Sequence, residues 1–375
     1  MAGIYIHIPF CRQKCYYCDF YKTDKLNYLS DFLKALKTEI SLQKNYLSDE
    51  AIETIYIGGG TPSLLKEPEL NSLLTWLFTN FTVAPQAEIT LEANPDDLDP
   101  DYLNMLRKSG INRLSIGVQA FQDELIKKMN RRHDALQAVN SVLNAQNSGF
   151  NNISVDLIYG IPGLTAEQWE NNLQKVFELP VVHISAYHLT FHKGTIFYNM
   201  LKRGLLKELS DIESFRQFEI LMDNADLYGF EQYEISNFAK NRIYSKHNTA
   251  YWTATNYLGL GPSAHSFNGA SRRWNISCID KYITSIGEGK IACEEEQLSV
   301  NDKYNEFILT NLRTRRGVSL LTVKEKFGEK KADYFFRTAQ RFISAKKIVR
   351  KNEIYTLTTE GLFISDGIIA EFMII

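Results

Sequence analysis

The chain has 375 residues, 44% of them hydrophobic and 23% charged, with a formal net charge of -2. That length predicts two or three domains at about 100–200 residues each, and the composition is that of an ordinary soluble globular protein. The balanced charge argues against a nucleic-acid partner, the first residues lack the features of a secretory signal, and no apolar run approaches the ~20 residues that span a bilayer, so a cytoplasmic protein without a transmembrane segment is expected.

In chain order, six short apolar or alternating runs precede amphipathic stretches, the pattern of βα units and a parallel sheet. The predicted strands are "GIYIHI" (3–8), "ETIYIGG" (53–59), "EITLEA" (88–93), "RLSIGVQ" (113–119), "NISVDLIYG" (152–160) and "VVHISAYHL" (181–189). Between them, Leu29, Phe32, Leu33, Leu36 and Ile40 recur at helical spacing. Helices are also expected over 66–80, 122–148 and 166–178, and Asp99-Pro100 reads as an N-cap with proline in the first helical position. After about residue 200 a helix is predicted within 210–230, followed by a loop-rich stretch to about 290 and a boundary at the acidic "CEEEQLSVNDKYNE". The remainder carries two helices, a strand pair around "IVRKNEIYTLT" and a closing helix, a winged-helix-like arrangement without the basic recognition helix of a DNA reader. The expected class is α/β: a partial (β/α)6 barrel over 1–200, an α+β extension over 201–300 and a C-terminal winged-helix-like domain over 301–375.

Polar groups collect at the predicted strand ends. A cysteine loop follows the first strand and a glycine run the second, Glu92 and Gln119 end the third and fourth, and Asp156 lies in the fifth. In a barrel these ends share one mouth, so residues scattered along the chain would converge on one site.

Three of the five cysteines, Cys11, Cys15 and Cys18, fall in "CRQKCYYC", while Cys278 and Cys293 lie far apart, so no disulfide framework is expected. Three thiolates do not complete a tetrahedral zinc site, and His7 sits within an alternating strand, where packing is expected of it rather than ligation. A [4Fe-4S] cluster held by three thiolates accounts for the shortfall by leaving one iron open. The consecutive glycines of "GGGTP" (58–62) allow backbone to approach a ligand closely.

CxxxCxxC after the first strand with "IGGGTPS" after the second resembles the radical S-adenosylmethionine (SAM) superfamily. In order, "YIHIPFC", "GGGTPS", "LEANPD", "SIGVQAF", Asn130-Arg131 and "VDLIYGIPG" resemble its coproporphyrinogen dehydrogenase-like (HemN/HemW) branch along essentially the whole chain. The resemblance implies a radical SAM barrel whose open iron is chelated by the cofactor's amino and carboxylate groups. It also implies cofactor binding by Tyr5, Gly59, Gly60, Thr61, Glu92, Gln119, Arg131 and Asp156. Arg131 suits the carboxylate, Glu92 the ammonium, and Gln119 and Asp156 the ribose hydroxyls.

Within that branch the dehydrogenase is expected to carry CxxxCxxCxC and a longer segment ahead of the first strand. Here Phe20 stands at the last cysteine and the first strand's tyrosine is residue 5, which puts coproporphyrinogen III decarboxylation in doubt. "HNTAYW" (247–252) resembles the signature of the branch's haem chaperones. That implies His247 as a haem ligand with Tyr251 and Trp252 over the macrocycle; His188, His192 and His265 are the rival imidazoles. The function implied is haem binding, alongside a cluster and SAM, with delivery to acceptor haemoproteins. The alternative is a coproporphyrinogen dehydrogenase or another tetrapyrrole-directed radical enzyme, so whether the chain is an enzyme stays open, as do homodimer formation and peripheral membrane association.

Overall fold

The computed structural model describes residues 2–374. Six parallel strands follow one another through the first half: β1 (Ala2–Ile8), β2 (Ile52–Gly59), β3 (Val83–Ala93), β4 (Arg113–Gln119), β5 (Ile153–Tyr159) and β6 (His183–His188). They pair in sequence order, with registers such as Tyr5 beside Tyr56, Glu92 beside Ser115 and Asp156 beside Ser185. Each link is a helical crossover, as adjacent parallel strands require.

Alternation along the strands decides what each face does. Ile4, Ile6 and Ile8 of β1, Ile55 and Ile57 of β2, and Leu114 and Ile116 of β4 are fully buried in the main core. Burial of each such side chain contributes about 1.5–3 kcal/mol. The opposite parity carries the polar set, from Tyr5 and His7 through Tyr56, Glu92, Ser115 and Asp156 to Ser185. One face of each strand thus anchors the helices and the other furnishes the barrel interior.

The helices form where the periodicity places them. Leu29–Leu42 buries Phe32, Leu33, Leu36 and Ile40 on one side. Asp99 caps the helix that Pro100 opens, accepting from the Tyr102 amide at 2.8 Å. The single helix expected over 122–148 is instead two, Asp123–Lys128 and Ala135–Asn147. Asn130 adopts φ 59° between them, and Asp134 accepts from the Gln137 amide to start the second helix with a capping box.

The expected loop-rich stretch is also different. After the helix Asp211–Leu227, β7 (Phe230–Glu234) and β8 (Asn237–Lys240) form a hairpin on the β6 edge. On the other edge, β9 (Asn256–Leu260) runs parallel to β1, and β10 (His265–Phe267), β11 (Ser271–Asn275) and β12 (Cys293–Gln297) continue antiparallel, giving a 12-stranded sheet. These strands are three to five residues long and rich in polar residues, so they carry little periodic signal. Glu39, fully buried, ties this extension to the first helix by accepting from the Gly261 amide (2.8 Å), Asn275 Nδ2 (2.6 Å) and the Tyr282 hydroxyl (2.6 Å).

The C-terminal part has its own core around Tyr304, Ile308, Phe335 and Tyr355. Helices Val300–Leu312, Leu320–Phe327 and Glu329–Ser344 pack beside a small antiparallel sheet in which β15 (Ile354–Leu357) lies between β13 (Val318–Ser319) and β14 (Ile348–Lys351), the expected winged-helix-like form. No helix among the described residues is long and apolar enough to cross a membrane.

Candidate functional site

The C-terminal ends of the six parallel strands open on a cavity of about 430 Å³. Its wall includes Cys11, Cys15 and Cys18 on the loop after β1, together with Gly59, Gly60, Thr61, Glu92, Gln119, Arg131 and Asp156. The structure therefore brings together ten of the twelve residues that the sequence put forward. The other two, Tyr5 and His247, lie behind the wall.

The cysteine loop is held by its backbone. Cys11 N donates to Thr23 O at 2.9 Å, and Thr23 N to Pro9 O at 2.7 Å. Thr61 donates to the Cys11 sulfur at 3.4 Å and Arg131 Nη1 to the Cys15 sulfur at 3.5 Å, polar contacts of the kind that stabilise thiolates. Burial pushes the Cys11 and Cys18 thiols up, and Lys22 beside Cys18 opposes it. Among the described residues no three His, Cys, Asp or Glu side chains form a group that could hold a metal ion. A cluster asks for no such convergence, since each thiolate takes a different iron.

The glycines answer a steric demand of this loop. Gly59 has φ +110°, and a Cβ there would stand 2.7 Å from the His7 ring; one on Gly60 would stand 2.8 Å from Phe10 O. The glycine run thus seats the cysteine loop against β2. His7 serves the same seating, with Nε2 bonded to Tyr21 O at 2.8 Å and Nδ1 to the Tyr5 hydroxyl at 3.1 Å.

Opposite the cysteines, Glu92 accepts from the Tyr56 hydroxyl at 2.8 Å and from the Gly59 amide at 3.0 Å. Burial raises its carboxyl to about 7. Asp156 accepts from the Ser115 hydroxyl at 3.1 Å, and its carboxyl is also raised by burial. Gln119, in the left-handed region at φ 69°, turns the chain at the end of β4, a strained backbone of the kind that gathers at functional sites.

The break between the two helices explains Arg131. Arg132 pairs with Asp96 at 2.7 Å and Asp97 at 2.9 Å, and Asn130 Nδ2 donates to Lys14 O at 2.8 Å, so the segment is pinned to both the β3 loop and the cysteine loop. Arg131 then reaches inward. Its Nε is buried with no partner, and the guanidinium lines the cavity, a cation of the kind that pairs with a carboxylate. Three thiols, a half-buried carboxylate and a guanidinium around one cavity fit a [4Fe-4S] cluster and an amino-acid-bearing cofactor.

Sequence reasoning missed Tyr56, Arg113 and Ser115, which also line this cavity. A signal existed: Tyr56 sits two residues ahead of Gly58, and Ser115 and Arg113 four and six ahead of Gln119, even spacings that favour the same strand face.

His247 departs from expectation. Rather than opening a loop toward a macrocycle, it lies in the short helix Lys246–Trp252 and is only 2% exposed. Its Nδ1 bonds Thr54 Oγ1 at 2.8 Å and its Nε2 the Tyr251 hydroxyl at 3.0 Å, so both ring nitrogens are hydrogen-bonded within the protein. Tyr5 stacks on Tyr56 at 6.1 Å and likewise backs the wall. Of the rival imidazoles, His188 and His192 line the mouth with Phe20, which is 67% exposed, whereas His265 stacks on Trp274 at 6.2 Å, away from it.

Known proteins follow the same division. Residues 5–176 match the radical SAM superfamily and residues 298–364 the HemN C-terminal domain. The chain is similar to the heme chaperone HemW of Bacillus subtilis (strain 168), at 34% identity over 100% of this chain and 99% of that protein. It is similar also to heme chaperone HemW of Escherichia coli (strain K12), at 36% over 83% and 82%. Among solved structures, coproporphyrinogen III oxidase (HemN) from Escherichia coli, a radical SAM enzyme, superposes with a TM-score of 0.86 at 25% identity, over 99% of this chain and 89% of that one.

Proposed function

Because the chain belongs to the radical SAM superfamily and, within it, to the HemN/HemW family, we propose that it is a haem chaperone: it binds haem and hands it to acceptor haemoproteins. The superfamily implies a [4Fe-4S] cluster and SAM. In this reading Cys11, Cys15 and Cys18 hold the cluster. Arg131 takes the cofactor carboxylate, Glu92 its ammonium, and Gln119 and Asp156 its ribose, with Gly59, Gly60 and Thr61 framing the approach. When bound, the cluster and SAM supply one-electron chemistry; the chain's own groups orient the cofactor and keep the thiolates paired with donors.

The observation that carries the chaperone reading over the dehydrogenase is Phe20. Where the enzyme is expected to have a thiol two residues after the third cysteine, this chain presents an exposed aromatic ring at the cavity mouth, beside His192. An exposed aromatic ring with imidazoles lining the same cavity suits an iron-bearing macrocycle, His192 lying 3.5 Å from Asp19. The relatives named as heme chaperones support the same reading, while the engagement of both His247 nitrogens argues against that residue as the iron ligand.

The test is an anaerobic pair of assays on the reconstituted protein. Haemin titration should give a saturable Soret shift, and haem-loaded protein should transfer haem to an apo-haemoprotein. Incubation with coproporphyrinogen III, SAM and reductant should leave the substrate unchanged. Steady formation of protoporphyrinogen IX would establish the enzyme instead.

A further inference from the structure

We propose that His247 is a positioning residue for the SAM site: it buttresses Tyr56, and through Tyr56 the Glu92 carboxylate, from behind the cavity wall. The inference rests on the SAM role of Glu92 proposed above and adds a function for the helix Lys246–Trp252.

Three layers carry it. At the wall, Glu92 is held by the Tyr56 hydroxyl at 2.8 Å and the Gly59 amide at 3.0 Å. Behind the wall, the His247 ring stacks on the Tyr56 ring at 5.1 Å with 27° between planes. Behind that, the imidazole is fixed on every side: Thr54 Oγ1 at one nitrogen, the Tyr251 hydroxyl at the other, and the Tyr251 ring edge-on at 5.0 Å. Its own amide donates to Glu88 Oε1 at 3.2 Å, fixing the start of the helix to β3. The Tyr251 ring is backed in turn by Tyr257 of β9 at 4.7 Å.

The site is shaped for this ring. A Cβ on Gly3 would stand 3.3 Å from His247 Nδ1 and 2.7 Å from Thr54 Oγ1, so glycine in β1 leaves the room that the imidazole occupies. Burial lowers His247 to about 3, so the ring is neutral, and a neutral imidazole between two hydroxyls donates at one nitrogen and accepts at the other. A buried, fully bonded ring stacked on a tyrosine limits that tyrosine to one orientation. The Tyr56 hydroxyl consequently stays on Glu92 rather than swinging into the cavity, and the carboxylate keeps one position for a cationic group.

The test compares wild type with His247→Gln, Thr54→Val and Tyr56→Phe, each loaded with its cluster. Three quantities are read: iron content, SAM affinity by calorimetry, and the SAM concentration that half-completes the change in the reduced cluster's EPR spectrum. His247→Gln and Tyr56→Phe should each raise the SAM dissociation constant by about tenfold, with a combined effect well short of the product because both act through Glu92. Thr54→Val, which frees one nitrogen without removing the ring, should give a smaller rise in the same direction. Iron content should be unchanged in every variant. Unchanged SAM affinity in a cluster-loaded His247→Gln would overturn the inference, as would multiplicative effects of His247→Gln and Tyr56→Phe. If His247→Gln does not load its cluster, Thr54→Val and Tyr56→Phe decide, and wild-type affinity in both refutes the buttress. Wild type failing to bind SAM would refute the cofactor reading itself, a result distinct from any variant effect.

Discussion

Arg131 donates through Nη1 to the Cys15 sulfur at 3.5 Å and through Nη2 to Gly117 O, so one guanidinium spans the cysteine loop and the end of β4. Its Nε is buried without a partner. Arg131→Ala should weaken SAM binding by about 1.5–3 kcal/mol, the worth of a charge-assisted contact, while the cluster still assembles. Calorimetry on the reconstituted variant checks this, and wild-type affinity would return Arg131 to a purely structural role.

The same geometry makes the three thiols individually necessary. Anaerobic reconstitution should give about four iron per chain, and replacing Cys11, Cys15 or Cys18 by Ala should abolish the iron-sulfur absorbance. Replacing Cys278 or Cys293, both outside the cavity wall, should not. Iron and sulfide analysis decides, and stoichiometric zinc in place of iron would contradict the cluster.

Glu92 gives SAM binding a pH dependence. Burial raises its carboxyl from the ordinary 4.5 to about 7, so the protonated form gains as pH falls. Since the carboxylate is the stronger acceptor for the N–H of the cofactor's amino group, the SAM dissociation constant should climb as pH falls below about 7 and flatten above it. Glu92→Gln should bind more weakly and lose this component, which makes it the reference for any titration of the ligand itself. A wild-type profile that tracks the Gln variant between pH 6 and 8 would remove Glu92 from the ammonium site.

Glu39 tests the fold rather than the chemistry. Its carboxylate takes hydrogen bonds from Gly261, Asn275 and Tyr282, joining the first helix to the strands beyond β9. Glu39→Ala leaves the Gly261 amide and the Tyr282 hydroxyl without an acceptor and Asn275 Nδ2 with only Gly261 O, at about 1–3 kcal/mol for each lost bond that water does not replace, and should lower the melting temperature by about 5 °C or more. Glu39→Gln, which keeps one acceptor oxygen, should fall between. A melting curve unmoved by Glu39→Ala would mean that the extension is held by other contacts.

The barrel was legible because its signals are local. Strand runs, the period of Leu29–Leu42 and the Asp99 cap each arise from neighbouring residues, and the strand-end rule then gathers Cys11, Cys15, Cys18, Glu92, Gln119 and Asp156 at one mouth, with Arg131 added by the family resemblance. Phe20, a single substitution in a spaced motif, was equally readable, since motif spacing is a property of the chain itself.

Tertiary structure decided the rest, wherever meaning depends on distant partners. The break that aims Arg131 has a local signal in the polar run 130–134 and the Asp134 cap, but its placement is fixed by Arg132 pairing with Asp96 and Asp97, some 35 residues away. The short strands β7–β12 are stabilised by the sheet edges that they meet, so they carry little pattern of their own. His247 is the sharpest case: within "HNTAYW" it looks like a free imidazole beside aromatics, but Thr54 and Tyr251 occupy both its nitrogens and Tyr56 its face. Sequence supplies the imidazole's chemistry; which atoms saturate it is set by packing between β2 and a helix 193 positions further along the chain.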